Sequence, residues 1–480
     1  MQINPNFIAG EWVTSSDYSI NINPSNLDDV VGHYAKASET NVADAIAAAK
    51  TAQNTWGRTA PFQRAAALNS IANELRAQTP RLAKILAREE GKTLREATGE
   101  VGRAVATFEY FAFILQTEQG AMFASQRPNM SIHTRHRPVG VVAVITPWNF
   151  PIAVPAWKIA PALAYGNSVL FKPAEVVSAT AWALTEIIAK AGLPAGAFNL
   201  VMGSGRVIGN IVAGHPDVNA ITFTGSTQVG SELLKNTHAR SNARVQTEMG
   251  GKNGILVLDD ADIDIAVDSI ADSAFGSTGQ RCTATSRIIV TPGVYQELAD
   301  RLTERVLSLR VGDALDESTQ MGPVAHDSQL STDLSYIEIG QNEGAELIAG
   351  GAVIDKDNPG HFLAPTLFAG GTTEMRINQE EIFGPVACLI EARDLEHGLE
   401  LLNDTPYGLS AGIITRSLQS SEYFQERAEA GLISVNASPA VSEHHVPFGG
   451  IKDSGHGPRE QGSAAKEFFT QQSTHFVRSY

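Results

Sequence analysis

The sequence is short of cysteine. Only Cys282 and Cys388 occur among its 480 residues, which is too few for the disulfide framework of a secreted protein. The N-terminus MQINPNFIAGEW also lacks a basic stretch followed by an apolar run, which is the pattern of a secretory signal. These absences predict a cytoplasmic protein in a reducing environment.

Positive charge and long apolar runs are scarce as well. The chain carries 36 Lys and Arg residues against 52 Asp and Glu residues, a formal net charge of −16. Without a basic stripe for nucleic-acid phosphates, nucleic acid is not an expected partner. The apolar run VGVVAVITPW is far shorter than the roughly 20 residues that span a bilayer, so no membrane association is expected either.

What the chain does contain is a large apolar fraction in alternating short strands and helices. Hydrophobic residues make up 43% of the sequence, and 480 residues are too many for one ordinary core, so two or three domains are expected. From Val139, the runs VGVVAVIT, SVLFKP, FNLVMG and VNAITFTG predict strands. Three helices are expected between these strands. The first covers Trp157–Ala164, the second is the run SATAWALTEIIAKAG that ends at Gly192, and the third begins at Val207. This alternation predicts a doubly wound parallel sheet, and a second α/β section is expected from about Gly250.

The part of the chain before this alternation is predicted to be a turn-rich segment followed by helices. The run INPSNLDD, residues 22–29, is predicted to be a loop. Thr40 is the candidate N-cap of the first helix, and Pro61 fits the first turn of the second. A long helix is expected over about Glu100–Gln119. Its aromatic residues are expected in the core: Phe108, Tyr110, Phe111 and Phe113.

Two segments show the polar and apolar alternation of exposed strands, namely residues 129–138 (NMSIHTRHRP) and the tail STHFVRSY. Exposed strand edges can pair with another chain. The alternation places His133 and His136 on opposite faces of the first strand, so this pair is not predicted to bind a metal. No metal site is expected in the protein.

One of the two cysteines lies in a glycine-rich loop. Cys282 ends the run FGSTGQRC, just before the β-branched segment SRIIV, so its thiol can be presented to a pocket. A lone cysteine is more often a small buried hydrophobe, and we interpret Cys388 in that way. Cys282 differs because the chain also offers Asn149 in TPWNFP, Glu248 in TEMGGKN and Glu381 in QEEIFGPV. Together these residues supply a nucleophile, an amide donor, a candidate base and a cofactor anchor.

These motifs resemble those of the aldehyde dehydrogenase superfamily, and they follow in the same order from IAGEW near the start to PFGGIKDSG near the end. The resemblance implies an α/β, aldehyde dehydrogenase-like fold with a Rossmann-type cofactor domain, an α/β catalytic domain and a β oligomerisation arm. The implied NAD(P)-binding domain comprises residues 1–116 and 139–249, the catalytic domain residues 250–462, and the arm residues 117–138 and 463–480. Such an arm implies a homodimer or homotetramer.

The resemblance also implies a chemistry in which an aldehyde is oxidised to a carboxylic acid through a cysteine thiohemiacetal and a thioester. Cys282 would attack the carbonyl carbon, and the side-chain amide of Asn149 with the Cys282 backbone N–H would hold the oxyanion. Glu248 would act as the general base that activates water to hydrolyse the thioester. A glutamate at this position favours water over coenzyme A as the acceptor, as in the non-acylating branch of the family.

Two further polar residues match positions near the active site of the family. Lys158 lies nine residues after Asn149, one turn into a predicted helix, and Glu460 matches a second acid in the proton path. The chain reads SGHGPREQG where the family has SGxGRExG, so Pro458 is an insertion just ahead of Glu460.

The implied cofactor is NAD, with NADP possible. Lys172 and Glu175 match residues that contact the adenosine ribose, where a carboxylate binds the 2′- and 3′-hydroxyls and repels a 2′-phosphate. A flexible loop that moves the glutamate would still permit NADP. Gly225 and Ser226 open a helix after a strand and match the pyrophosphate site, whereas the run from Gly203 to Gly209 fits a dinucleotide fingerprint only partly. The other implied cofactor residues are Thr146, Pro147, Trp148, Phe223, Gly250, and, beside the nicotinamide, Glu381 and Phe383.

The substrate is predicted to be a semialdehyde that carries a carboxylate. The segments GQRCTATSR, WKIAPAL and REQGSAAKEFFT resemble the branch that acts on α-ketoglutaric semialdehyde. Succinate-semialdehyde dehydrogenases instead have arginines at the positions of Trp157 and Gly276. Arg281 is a candidate partner for the substrate carboxylate, although a structural arginine fits its position equally well. The other implied substrate-tunnel residues are Phe150, Trp157, Thr283 and Ser442–His445, with His445 at the end of that run.

Other activities stay open at this point. Within the family these are the oxidation of succinic semialdehyde and the oxidation of a broad range of aldehydes, including aromatic ones. From another class, a thiol esterase or hydrolase is an alternative because a Cys–Glu pair can hydrolyse esters without a cofactor. A catalytically silent member of the fold is disfavoured by the intact Cys282, Glu248 and Asn149.

Overall fold

The structure is a computed structural model and describes residues 2–117 and 120–479. The described chain forms an eight-stranded sheet, a seven-stranded sheet and three small sheets. Helices cover both faces of the two large sheets. None of the helices in the described residues has the length and hydropathy needed to cross a membrane.

The N-terminal segment forms strands, and the loop expected over residues 22–29 was a wrong prediction. The strands are β1 (Ile3–Asn4), β2 (Asn6–Ile8), β3 (Glu11–Val13), β4 (Tyr18–Asn23) and β5 (Asn26–Ala35). Only Pro24 and Ser25 separate β4 from β5, which pair in antiparallel fashion. The Asn23 side chain accepts a hydrogen bond from the Ser25 backbone N–H (2.9 Å) and so supports the tight turn. The polar residues that suggested a loop belong to the half-exposed strands of a hairpin.

Four helices follow, and their starts are set by capping side chains. They are α1 (Glu39–Trp56), α2 (Pro61–Ala77), α3 (Thr79–Glu90) and α4 (Leu94–Ile114). The N-cap of α1 is Ser38 and not Thr40, because Ser38 and Asn41 form a capping box. Pro61 occupies the first turn of α2, as predicted.

The last of these helices begins earlier and ends earlier than expected. Helix α3 ends at its C-cap Gly91, which has a φ of +95°. Thr93 and Glu96 then form a capping box that starts α4 at Leu94. The helix ends at Ile114, and Gln119 lies outside the described residues. The aromatic prediction holds for Phe108 and Phe111, which are fully buried. Phe113 is 62% exposed, so its assignment to the core was wrong.

The first large sheet has the predicted parallel, doubly wound core. After β6 (Met122–Phe123) and β7 (Met130–Pro138), its strands are β8 (Val141–Ile145), β9 (Ser168–Lys172), β10 (Phe198–Leu200), β11 (Ala220–Thr224) and β12 (Arg244–Glu248). These five strands run parallel to one another, and β2 and β3 extend the sheet beyond β10. The intervening helices are α5 (Ala153–Ala164), α6 (Ser178–Ala189), α7 (Gly205–Gly214) and α8 (Thr227–Arg240).

The second large sheet follows the first in the sequence. Its strands are β13 (Asn253–Val257), β14 (Thr285–Val290), β15 (Glu346–Ala349), β16 (Thr366–Gly371), β17 (Val386–Glu391), and, after β18 (Tyr407–Gly408), β19 (Ser410–Ile414) and β20 (Leu432–Val435). The strand order is β15-β16-β17-β14-β13-β19-β20, and all pairs are parallel except that of β15 with β16. The helices are α9 (Ile263–Phe275), α10 (Tyr295–Leu307), α11 (Asp327–Asn342), α12 (Arg376–Gln379), α13 (Leu395–Asn403) and α14 (Leu418–Arg427).

The C-terminal segment returns to the first half of the molecule. Its elements are β21 (Ile451–Lys452), β22 (Gly455–His456), α15 (Ala465–Phe469) and β23 (Thr470–Arg478). Strand β22 pairs with β12, so that Gly455 lies opposite Glu248. Strand β23 pairs with β7 along its whole length, and β6 lies on the other side of β7. Both segments predicted to be exposed strands are therefore strands, and they form one small sheet.

Each large sheet separates two apolar layers because successive strand residues point to opposite faces. In β8, Val142 belongs to the core under helices α2 to α6, whereas Ala143 faces the core that contains α7. In β13, Ile255 and Leu256 divide in the same way between two further clusters. The parallel strands are consequently buried on both faces, as their continuous apolar runs predicted.

Candidate active site

A cavity of about 1010 Å³ lies at the carboxyl ends of the parallel strands of the first sheet and extends to the Cys282 loop. Its walls come from residues that follow β8, β9, β11 and β12, which is where open α/β sheets bind ligands. Many residues predicted from the sequence line this cavity: Thr146, Pro147, Trp148, Asn149, Phe150, Trp157, Lys172, Phe223, Gly225, Ser226, Gly250, Arg281, Cys282, Thr283, Glu381 and Phe383.

The loop that carries Cys282 is held in an unusual conformation. The φ angles of the loop are positive: +49° at Ser277, +58° at Thr278 and +66° at Gly279. Residues other than glycine rarely adopt this backbone region. A Cβ atom on Gly279 would lie 2.3 Å from the carbonyl oxygen of Gly384, so only glycine fits there. The Ser277 N–H donates to the Glu96 carboxylate at 2.7 Å. The loop before the cysteine is therefore fixed by neighbours on both sides.

The backbone of Cys282 is held by a residue that the sequence analysis missed. The Asn253 side-chain amide donates to the carbonyl oxygens of Cys282 (2.8 Å) and Ala284 (2.9 Å). Its amide oxygen accepts a hydrogen bond from the Ser410 N–H at 2.9 Å. A Cβ on Gly251 would lie 2.7 Å from the Cys282 carbonyl oxygen, so this glycine permits the close approach. The available signal was the position of Asn253 within the motif TEMGGKN.

The thiol of Cys282 is protonated in its resting surroundings. Burial raises its pKa to about 12, and the negative charges of Glu381 and Glu248 contribute in the same direction. The backbone N–H groups of Thr283 and Cys282 oppose this shift. Reaction of the thiol near neutral pH therefore requires a group that takes the proton.

Asn149 is held against the cysteine loop and against a buried ion pair. Its side-chain amide donates to the carbonyl oxygen of Gln280 at 2.9 Å. Its own carbonyl accepts a hydrogen bond from the Lys92 ammonium group at 2.7 Å. Lys92 is fully buried and pairs with Glu100 at 2.5 Å. Glu100 in turn accepts hydrogen bonds from two backbone N–H groups at the start of α5 (2.8 and 3.0 Å).

Glu248 lies at the end of β12 and is not among the residues that line the cavity. Its carboxylate accepts a hydrogen bond from the Gly450 N–H at 3.1 Å. Lys158 contacts Glu460 and donates to the Thr222 hydroxyl at 2.8 Å, and neither Lys158 nor Glu460 lies on the wall. Burial raises the pKa of Glu248 well above its ordinary value, and the charge of Glu460 adds to this, whereas the Gly450 N–H and Lys158 oppose it. The three charged groups form one buried network behind the cysteine.

The inserted Pro458 leaves Glu460 in place. The Pro458 carbonyl accepts a hydrogen bond from the Gln246 side chain at 2.7 Å, which ties the insertion to β12. Two backbone hydrogen bonds then join Glu460 to Phe448 (2.7 and 2.8 Å). As a result, the Glu460 side chain reaches Lys158 in spite of the extra residue.

At the opposite end of the cavity, Lys172 and Glu175 have different surroundings. The Lys172 ammonium group lines the cavity and forms no hydrogen bond or ion pair with any other described residue. Burial lowers the pKa of Lys172 to about 8, and Glu175 opposes the shift. Glu175 lies outside the wall and pairs with Lys36 at 3.1 Å.

Between these two ends, a turn and an aromatic pair shape the cavity. Ser226 caps α8 by accepting a hydrogen bond from the Val229 N–H at 3.4 Å, as predicted for a helix N-terminus. Glu381 accepts a hydrogen bond from the Gly251 N–H at 2.9 Å. Phe383 has a φ of +65°, and its ring meets Trp148 edge to face at 5.3 Å. A bulky residue in this backbone region is strained, and such strain is typical of functional sites.

The wall near Cys282 is aromatic and contains an arginine that the sequence analysis missed. Arg103 of α4 lies over the Trp157 ring, 5.4 Å from its centroid, and the Trp157 and Phe448 rings are 5.4 Å apart. Ser442 also lines this end. His445 does not lie on the wall, because it is exposed and packs against a neighbouring histidine. The signal for Arg103 was a single charged residue within the small and apolar run VGRAVATF.

Arg281 also lines the cavity, but its charge is already paired. Its guanidinium lies 3.5 Å from Glu96 and 4.0 Å from Asp272. Glu96 is the same carboxylate that holds Ser277 in the cysteine loop. The contacts of Arg281 thus favour the structural alternative over the binding of a substrate carboxylate.

The chain is similar over nearly its whole length to known proteins. The profile of the aldehyde dehydrogenase family matches residues 12–475. An alpha-ketoglutaric semialdehyde dehydrogenase of Bacillus subtilis is 43% identical over 477 residues, 98% of each chain. An alpha-ketoglutarate semialdehyde dehydrogenase of Haloferax volcanii is 42% identical over 474 residues, again 98% of each. The structure of a betaine aldehyde dehydrogenase from Staphylococcus aureus in complex with NAD+ matches with a TM-score of 0.96 and 31% identity, over 99% of this chain and 95% of that one.

Proposed function

The chain belongs to the aldehyde dehydrogenase family, a family of NAD(P)-dependent oxidoreductases, and from this premise we propose that it oxidises a carboxylate-bearing semialdehyde. The proposed substrate is α-ketoglutaric semialdehyde, and the product is the corresponding dicarboxylic acid. Two relatives with that substrate in their names, each matching 98% of this chain, support the proposal. The observation that carries it is the cavity, which brings the Cys282 thiol, the Asn149 amide and the Arg103 guanidinium together.

The cofactor end of the cavity fits NAD. The Lys172 ammonium group has no protein partner among the described residues, and the hydroxyls of Thr146 and Thr224 are buried without a hydrogen bond. Ribose hydroxyls and phosphate oxygens would supply such groups with partners. Ser226, at the N-terminus of α8, would hold the pyrophosphate, and Glu381 the nicotinamide ribose. When bound, NAD supplies the acceptor for the hydride that leaves the substrate carbon.

A carboxylate beside the adenosine ribose favours NAD over NADP. Glu175 follows Lys172 by three residues and pairs with Lys36 at 3.1 Å. A 2′-phosphate would bring two further negative charges towards Glu175. We therefore propose NAD as the cofactor used in turnover.

The residues around Cys282 support a covalent mechanism. The thiol would release its proton to solvent as the sulfur attacks the aldehyde carbon, which forms the S–C bond of a thiohemiacetal and moves the electron pair of the C=O bond onto the oxygen. The Asn149 amide and the Cys282 N–H would stabilise the oxyanion, and one such donor typically contributes about 3–4 kcal/mol. After the hydride leaves, a thioester joins the acyl group to Cys282. Attack by water would then release the acid and restore the thiol.

Glu248 is the proposed base for the water step. Burial raises the pKa of Glu248 well above its ordinary value, which makes its carboxylate a stronger proton acceptor. To reach a water molecule at the thioester, its carboxylate must leave the Gly450 N–H. The Lys158–Glu460 pair lies behind Glu248 and would receive the proton on its way to solvent.

The experiment that tests this function measures NADH formation with a panel of aldehydes. We expect the highest kcat/KM with α-ketoglutaric semialdehyde, a lower value with succinic semialdehyde, and much lower values with pentanal and benzaldehyde. No NADH should form with Cys282→Ser. Equal values for acidic and neutral aldehydes would contradict the substrate proposal, and ester hydrolysis in place of NADH formation would favour a thiol esterase.

The β7–β23 sheet is the proposed site of assembly into a homodimer or homotetramer. In the order β23-β7-β6, the outer edge of β23 has no partner among the described residues. Phe476 and Val477 of β23 are 65% and 50% exposed, and Met122 and Phe123 of β6 are exposed as well. An open strand edge that carries exposed apolar side chains is suited to pairing with another copy of the chain.

A further inference from the structure

Arg103 is a charged residue with little to bind in the protein. Its Nε is buried without an acceptor, and its Nη2 makes only a long hydrogen bond to the Gln461 side chain at 3.5 Å. No carboxylate of the described residues lies within ion-pair distance of it. The indole N–H of Trp157 and the amide nitrogen of Gln461 are also buried without acceptors. This end of the cavity therefore contains more hydrogen-bond donors than the protein can satisfy.

The acidic residues nearest to Arg103 do not neutralise it. Glu100, one turn earlier on α4, is committed to Lys92 and to the start of α5. Glu443 is exposed on the loop after β20 and forms no ion pair. Burial lowers the pKa of Arg103, and the charges of Glu100, Cys282 and Glu443 oppose that shift. Arg103 and Cys282 line the same cavity, and the guanidinium lacks an anion of its own among the described residues.

Unsatisfied buried donors in a native protein call for an explanation, and a bound anion supplies one. A carboxylate presents two oxygens in the geometry that a guanidinium binds with two parallel hydrogen bonds. The aromatic rings of Trp157 and Phe448 beside it exclude water, which strengthens such a contact. Arg281 offers no equivalent site, because Glu96 and Asp272 already flank it.

We propose that Arg103, and not Arg281, binds the terminal carboxylate of the substrate while the aldehyde carbon lies at Cys282. The proposal rests on the proposed function, because it assumes that the substrate is an acidic semialdehyde. It assigns the preference for such substrates to one side chain of α4, and it gives Arg281 the structural role of holding the cysteine loop through Glu96.

The test compares Arg103→Gln, Arg103→Lys and Arg281→Gln in the NAD-loaded enzyme. For each variant, kcat/KM is measured with α-ketoglutaric semialdehyde and with pentanal, a neutral aldehyde of the same chain length. Calorimetry with glutarate, an unreactive dicarboxylate, gives an independent readout of anion binding. Glu109→Gln is the matched control, since it removes an exposed charge from the same helix, where Glu109 pairs with Arg76 at the surface.

We expect Arg103→Gln to lower kcat/KM for the semialdehyde about 100-fold, with a far smaller change for pentanal and no measurable glutarate binding. Arg103→Lys should restore part of the loss because it keeps the charge but not the paired hydrogen bonds. Arg281→Gln should affect both aldehydes alike, and Glu109→Gln should leave their ratio unchanged.

Three results would overturn the inference, and they can be told apart. If the wild-type enzyme prefers acidic semialdehydes and Arg103→Gln keeps that preference, Arg103 is not the anchor and the proposed function stands. The same holds if Arg281→Gln removes the preference. If the wild-type enzyme shows no preference for acidic semialdehydes and does not bind glutarate, both the substrate proposal and the role of Arg103 fail.

Discussion

Burial holds the pKa of the Cys282 thiol at about 12, so the reactive residue of this protein is unreactive until something changes around it. Two backbone N–H groups favour the thiolate, but Glu381 and Glu248 oppose it and outweigh them. A resting thiol is protected from oxidation and alkylation, which require the thiolate. With this raised pKa, the thiol must give up its proton to solvent before or as the sulfur attacks the aldehyde.

The rate of alkylation of Cys282 reports the fraction of its thiol that is ionised, and so tests the raised pKa. Because the pKa of the thiol is raised, its thiolate fraction grows with pH over the whole range in which the protein is folded. We expect the rate of labelling by iodoacetamide in the cofactor-free enzyme to rise about tenfold for each pH unit between about 7 and 9. Mass spectrometry of the Cys282 peptide follows the rate, and Cys282→Ser gives the background. A rate that is already constant near pH 7 would contradict the raised pKa.

Sequence motifs predicted those site residues that lie next to strand ends. Asn149 follows β8, Glu248 ends β12, and Cys282 precedes β14, so each could be placed from local patterns. Asn253 and Arg103 were missed because their roles depend on contacts with distant parts of the chain. The sequence could not predict the contact of the Glu248 side chain either, because Gly450, which donates a hydrogen bond to it, lies 202 residues away.

A buried ion pair between Lys92 and Glu100 connects α4 to the start of α5. It supports the site without contacting a reacting atom. Lys92, just before α4, binds the Asn149 carbonyl and lies 3.9 Å from the centre of the Phe150 ring. Glu100 binds the first N–H groups of α5 and neutralises Lys92. Helix α5 carries Trp157 and Lys158, so one buried pair positions several elements of the site.

Removal of one partner of this pair should be costly. Lys92→Met leaves the buried Glu100 carboxylate unpaired, which typically costs about 3–5 kcal/mol of the free energy of unfolding. It also frees the Asn149 carbonyl, so we expect kcat to fall about tenfold or more while KM for NAD changes little. Denaturant unfolding and steady-state kinetics measure the two effects.

The double variant Lys92→Met/Glu100→Gln is the control, because it removes both charges together. It should recover part of the stability that Lys92→Met loses, but not the full kcat. If Lys92→Met unfolds at the same denaturant concentration as the wild type, the ion pair does not contribute to stability as described. Unchanged kcat in a stable Lys92→Met variant would remove its role in positioning Asn149.

At the level of the whole molecule, the two large sheets contribute different parts of the cavity. The first contributes the cofactor end and Asn149, and the second presents the loop that ends at Cys282. The C-terminal segment crosses back so that β22 joins the first sheet next to Glu248. The cavity therefore lies between residues of the proposed cofactor domain and residues of the proposed catalytic domain.

Alternation predicted the strands of the arm correctly, because both pair along their full lengths. The hairpin of β4 and β5 was missed for the opposite reason. Its polar residues and the turn at Pro24 and Ser25 have the composition of a loop, and only the pairing with the opposite strand reveals the sheet. Composition is therefore a poor guide where strands are half exposed and their hydrogen bonds come from a partner strand.

The exposed apolar residues of the arm predict an assembly that charge can disrupt. Phe476→Glu places a carboxylate on β23 where another chain is expected to cover the phenyl ring. We expect light scattering after size exclusion to show a smaller assembly for this variant than for the wild type. Thr474→Glu on the same strand, where the side chain is already polar, serves as the comparison. A wild-type mass equal to one chain would contradict the assembly proposal.

Cys282 is proposed to carry the acyl group during aldehyde oxidation, and this group can be trapped on the enzyme. In Glu248→Gln, which lacks the proposed base for hydrolysis, NAD and α-ketoglutaric semialdehyde are mixed with the enzyme and quenched in acid. If Cys282 is acylated but the thioester is not hydrolysed, we expect about one NADH per active site and a matching acyl mass on the peptide that contains Cys282. Continued NADH formation by this variant, or NADH without any acyl mass on Cys282, would contradict it.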